Sequence, residues 1–261
     1  MNSHATSHRG TGPEPHPFAV ARPATDGTAR RTLLRTALTG AAALGAGLGA
    51  TGTATAAPTT PGPTAPRPGT PDEALRELAA GNRRWRTYRE RHPHENPAIR
   101  RTLATSQHPF AVVLGCIDSR VPPELVFDQG LGDLMTVRTA GEVLDEAVLG
   151  SVAYGVLELG IPLVVVLGHQ SCGAVRAAVA AEQSGEHLPA HMQYLVDQIR
   201  PAIDHGQEGD ARIDVTVSAN VRLVRSRLAA EPELAARIAT GKLAIVGARY
   251  ELTTQAVNRL A

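Results

Sequence analysis

Along the C-terminal two thirds of the chain, short unbroken apolar runs alternate with longer stretches in which apolar residues recur every three or four positions. The runs are Phe110 to Gly115, Leu163 to Leu167 and Leu243 to Val246, with a weaker one at Leu134 to Val137. Continuous apolar segments of this length predict strands buried on both faces, as in a parallel sheet. Between and around them, helical spacing predicts helices over 72–91, 98–106, 145–159, 172–183 and 190–205, and over 215–240 with a break near Pro232. The first opens with Thr70-Pro71-Asp72-Glu73, a helix-start pattern, and carries Leu75, Leu78 and Ala79 on one face. Strands alternating with helices predict an α/β fold, a small parallel-core β-sheet flanked by helices, in one domain at 72–261.

The first seventy-one residues have a different pattern. A polar leader reaches Arg30-Arg31, an Ala/Gly/Leu-rich run extends from Thr36 to about Ala50, and Ala54-Thr55-Ala56 follows. Charged, apolar and small-residue segments in that order predict a signal peptide over 1–56 with an extended n-region, cleaved before Ala57. The apolar run, about 15 residues interrupted by glycine, falls short of the roughly 20 that span a bilayer, so no transmembrane span is expected in the mature form. Paired arginines before a weakly apolar core predict export by the twin-arginine route, which carries folded proteins and lets a metal be loaded first. His4, His8 and His16 are irregularly spaced in the leader and read as solvated. Residues 57–71 form a Pro/Thr/Gly-rich linker.

A formal net charge of +1, with basic residues scattered among acidic ones, gives no basic stripe and argues against nucleic acid as a partner. Two cysteines, Cys116 and Cys172, would by count alone suggest one disulfide in an exported protein.

Their surroundings suggest metal chemistry instead. Cys116 ends one apolar run, and His169-Gln170-Ser171-Cys172 follows another, so all three side chains are expected at the carboxyl ends of adjacent strands, where α/β sheets bind ligands. Two thiolates and one imidazole favour Zn2+, one per chain, and three protein ligands leave a fourth position open. The H-x-x-C pair taken alone also fits a structural zinc site. Cys116-Ile117-Asp118-Ser119-Arg120 adds a further potential ligand, the Asp118 carboxylate, and a guanidinium two residues on that can hold it off the metal. Water then takes the fourth place with Asp118 accepting its hydrogen bond. Zinc with two thiolates is formally neutral, so the pKa of such a water is expected above the value of about 7 found with three histidines, and activity is expected to rise on the alkaline side.

These segments resemble the β-class carbonic anhydrases. The resemblance rests on C-I-D-S-R-V-P at 116–122 and G-H-Q-S-C-G-A-V at 168–175. It extends through L-A-A-G-N-R-R-W at 78–85, F-D-Q-G-L-G-D-L at 127–134, V-R-T-A-G at 137–141 and L-A-I-V-G at 243–247. It implies zinc on Cys116, His169 and Cys172, a dyad of Asp118 and Arg120, and reversible hydration of carbon dioxide to bicarbonate by attack of zinc-bound hydroxide. It further implies that the Gln107 amide stabilises bound bicarbonate, that the Gly173 backbone amide helps hold the anion, and that Tyr154 lines the cleft from a partner subunit. A homodimer or homotetramer follows, with the 72–91 helix reaching over the neighbour. Met135 stands where the family places a cleft phenylalanine, Val113 where bicarbonate-regulated bacterial members carry tryptophan, and Val121 after Arg120 leaves open whether Asp118 swings onto zinc at low pH. Two rivals share the residues: a carbon disulfide or carbonyl sulfide hydrolase on the same scaffold, and a non-catalytic zinc protein with Asp118 as a permanent ligand. His108 and His191 are proton-shuttle candidates by residue type only.

Overall fold

Helix α1 (Pro71–Arg86) starts where the sequence places a start. Thr70 accepts from the Glu73 amide while the Glu73 side chain accepts from the Thr70 amide, a reciprocal cap, and proline occupies the first turn. The helix stops short of Arg91 because Thr87 caps it and Tyr88 takes a left-handed φ of 54°. The structure, a computed structural model, describes residues 67–261. The expected signal peptide and residues 57–66 of the linker lie outside the described residues.

The apolar runs become β1 (Ala111–Cys116), β2 (Leu134–Thr139), β3 (Leu163–His169) and β4 (Ala244–Tyr250). A fifth strand, β5 (Val257–Leu260), closes the sheet. The order is β2-β1-β3-β4-β5, with the first four parallel and β5 antiparallel to β4. Helices α2 (Pro97–Leu103), α3 (Pro123–Val126) and α4 (Glu146–Leu157) precede β3; α5 (Gly173–Ser184), α6 (Met192–Ile199), α7 (Gly209–Ala230) and α8 (Pro232–Ala239) separate β3 from β4. The expected α/β architecture is the one observed. Among the described residues no helix is long and apolar enough to cross a membrane.

Alternation along the strands divides the core. Val112 and Leu114 of β1 and Val164 and Val166 of β3 face Val148, Val152 and Val156 of α4 and Val221, Val224 and Leu228 of α7. Ala111, Val113, Leu163, Val165 and Leu167 point the other way, onto Ala74 and Leu78 of α1. In a sheet so covered, β1 and β3 are central neighbours, and the chain leaves β1 toward β2 on one side before crossing to β3 on the other. Their carboxyl ends therefore flank a topological switch point, where a crevice opens.

Helix α1 lies against its own chain, where the family resemblance has it reach over a neighbour. The Asn82 amide donates to the carbonyls of Val126 and Gln255, and its oxygen accepts from the Val257 amide, at 3.0–3.1 Å. A Cβ at Gly81 would stand 1.7 Å from the Phe127 carbonyl oxygen, so only glycine permits this approach. Met135 packs against the core layer of β1 and α4, its sulfur 2.9 Å from where a Gly155 Cβ would sit.

Candidate metal centre

Cys116 is the last residue of β1, His169 the last of β3, and Cys172 the N-cap of α5. Ser171, between the latter two, takes a left-handed φ of 55°, which turns the chain within one residue from strand to helix. The result is a buried cluster in which one ligand atom from each side chain lies within 4.8 Å of the others. The two sulfurs are 4.0 Å apart and both cysteines are free, so the disulfide alternative does not hold. A metal at about 2.3 Å from each sulfur, in a tetrahedron, puts the sulfurs about 3.8 Å apart, close to this spacing.

The imidazole is oriented for the same purpose. His169 Nδ1 donates to the Gln170 carbonyl at 2.9 Å, leaving Nε2, fully buried and without a hydrogen-bond partner, turned toward the sulfurs. An orphaned buried nitrogen beside two thiols is the donor set that zinc takes. The Cys116 thiol is pushed down to about 4 by the hydrogen bond from Cys172, with the His169 ring and the Gly141 amide adding to it. The same bond, with burial, pushes Cys172 up. The pair thus holds one thiolate and one shared proton, which a bound dication would displace.

Asp118 stands beside this cluster and outside it. Its Oδ2 is 3.8 Å from His169 Nε2, yet both oxygens are taken by Arg120: Nε donates to Oδ1 at 2.9 Å, Nη2 to Oδ2 at 2.7 Å, and the Arg120 amide to Oδ1 at 3.0 Å. This fork, read from the C-I-D-S-R order, is present as expected. Arg120 is the first cause holding the carboxyl down at about 2, so Asp118 is ionised across the neutral range.

Four residues to which the sequence assigned no role complete the surroundings. Arg138, on β2, donates to the carbonyls of Cys116 and Asp118 at 2.9 and 2.7 Å and fixes the loop that carries both. The Gly141 amide points at the Cys116 sulfur at 3.4 Å, with φ 68° and with Ile199 Cδ1 2.8 Å from where a Cβ would be. Asn220, on α7, holds the Gly141 carbonyl at 2.8 Å. Glu142 is fully buried with Oε1 unpartnered, and burial, then the Cys116 charge, raises its carboxyl well above the usual range. Arg138 and Gly141 fall within the V-R-T-A-G run, which signalled them without a role. Glu142 and Asn220 read as ordinary surface positions.

Gly173 opens α5 and, with Asp118 and Cys116, lines the hollow at the cluster. Gln107 and Tyr154 are elsewhere. Gln107 is exposed in a separate hollow with Arg100, Leu103 and Leu131, and Tyr154 is half exposed on α4.

A family profile described as carbonic anhydrase matches residues 111–257. Carbonic anhydrase 2 of Mycobacterium tuberculosis is 45% identical over 184 residues, covering 70% of this chain and 89% of that protein. A Coccomyxa β-carbonic anhydrase, solved with acetazolamide, superposes with a TM-score of 0.59 at 26% identity, over 71% of this chain and 86% of that one. One of two tetrameric β-carbonic anhydrases of Sordaria macrospora gives 0.59 at 21% identity, over 72% and 96%.

Proposed function

The chain belongs to the β-class carbonic anhydrases and catalyses zinc-dependent, reversible hydration of carbon dioxide to bicarbonate and a proton, and from that premise we propose how its own residues divide the work. The observation that carries the reading is the buried convergence of Cys116, His169 and Cys172, with Asp118 held to one side by Arg120. Zinc held by those three supplies a Lewis acid that makes water a nucleophile near neutral pH. Asp118, kept ionised, accepts a hydrogen bond from the attacking water and aims it. Arg120 keeps the carboxylate in that post and off the ligand set. The Gly173 amide, at the start of α5, donates to the forming bicarbonate, where a helix N-terminus favours an anion.

Gln107 and Tyr154 do their part in a neighbouring copy's cleft. Their distance from their own chain's ligand cluster supports this, and it makes the working unit a homodimer or homotetramer. Export through the twin-arginine route is the reading for residues 1–56, supported by Arg30-Arg31, the short apolar run and Ala54-Thr55-Ala56. Replacing both arginines by lysine is expected to retain the enzyme in the cytoplasm.

Stopped-flow hydration of carbon dioxide by zinc-loaded protein starting at Ala57 tests the mechanism. The rate is expected to rise with pH and to vanish in Cys172→Ser. A zinc-replete wild type that hydrates nothing at any pH overturns it and turns attention to carbon disulfide and carbonyl sulfide.

A further inference from the structure

A hollow of about 420 Å3 starts at the ligand cluster and runs out between α5 and α6. Its walls are Ala174 and Ala177 of α5, Leu188 of the connecting loop, and Met192, Leu195 and Val196 of α6. Asp118 is the only charged side chain that lines it, at the end that meets the cluster, and Arg120 is not part of it. Ile117 and Met192 line it too, 61% and 51% exposed, large apolar side chains that water alone does not stabilise there.

Substrate and product of the reaction differ in what such a surface offers them. Carbon dioxide is uncharged, has no hydrogen to donate, and gains by leaving water for an apolar wall. Bicarbonate needs N–H donors and positive charge, which the α6 wall lacks and the Arg120 side has. Met135, the sequence's candidate for an apolar cleft residue, is packed in the core layer under α4 and does not line this hollow.

Resting on the carbonic anhydrase reading, we propose that the α5–α6 hollow admits and holds carbon dioxide beside the metal centre. Met192, Leu195 and Ala177 are its specificity-determining residues, and bicarbonate departs past Arg120. The hollow selects a small neutral apolar molecule by offering contact area and no polar partner.

Xenon, which enters apolar cavities without needing a polar partner, reports the hollow separately from catalysis. In xenon-pressurised crystals of the protein, with or without zinc, an atom is expected between Ala177, Met192 and Leu195. Met192→Trp and Ala177→Leu fill the space from two different helices. Each is expected to expel xenon and to raise KM for carbon dioxide about tenfold, the lower end of what pocket shape changes produce, with the loss falling in KM rather than in kcat of hydration. The overall equilibrium then requires kcat/KM for dehydration to fall by the same factor. Zinc content and melting temperature show which variants are folded, and either one suffices. Absence of xenon in the wild type, or an unchanged KM in a folded variant that excludes xenon, overturns the proposal. A wild type that binds xenon but hydrates no carbon dioxide instead removes the functional reading on which it rests.

Discussion

At the scale of the residue, the site depends on side chains that hold other side chains. Asp118 lies close enough to His169 to compete for the metal, and what turns it aside is a two-pronged guanidinium plus one backbone amide. Arg120→Ala removes the fork and leaves the carboxylate free to rotate. Hydration is expected to fall about 10- to 100-fold, the cost typical of losing a partner that orients a metal site, with zinc still bound. Arg120→Lys is expected to recover little, since an ammonium cannot grip both oxygens. Stopped-flow rates with zinc content measured on the same samples check both. The motif C-I-D-S-R carried this pair in plain view, because its two members sit two residues apart. Gly141 and Asn220 were illegible for the opposite reason: their contact with each other spans 79 residues, and no local spacing announces it.

Among the elements, α1 and β5 depend on each other. Asn82 is buried and satisfies three backbone groups, two of them next to β5. Asn82→Ala leaves those groups in a site that water reaches poorly and is expected to cost about 3 kcal/mol, seen as a lower urea midpoint with activity of the remaining folded fraction intact. The start of α1 gives a pH signature. The Glu73 carboxyl is held below its usual value first by the Gly69 amide and then by Thr70. A depressed folded pKa means that stabilisation is present above the unfolded value, about 4.3, and is lost as pH falls through the folded one. The melting advantage of the wild type over Glu73→Gln is therefore expected at pH 7 and shrinks as the pH drops below about 4. The strands and most helices were legible because a sheet covered on both faces writes continuous apolar runs. β5 was not, since four residues with two exposed, Val257-Asn258-Arg259-Leu260, carry no period and pair only because the edge of β4 is there. Helix α7 begins six residues before its expected start at Val215, where Ile213 and Val217 join a face that also carries Val221, Val224 and Leu228.

For the whole molecule, the metal centre ties the ends of β1 and β3 to α5, and so joins the middle of the sheet to the α5–α6–α7 layer. A ligand that binds only the folded chain stabilises it by about 4 kcal/mol when present at a thousand times its Kd. For a chain of this size that corresponds to roughly 10 °C, so chelation is expected to lower the melting temperature by that order, and zinc to restore it. Read by itself, the sequence determined the fold class, the ligand set, and the Asp118–Arg120 pair, because each is written in runs or motifs only a few residues long. Only the tertiary structure decided that Cys116 and Cys172, 56 positions apart, stand at contact distance as free thiols. It alone brought the orphaned nitrogen of His169 between them, kept Gln107 and Tyr154 away, and opened the α6 hollow beside Asp118. Those facts depend on strand order and on helices crossing from opposite ends of the chain, and proximity of that kind has no local trace in a sequence.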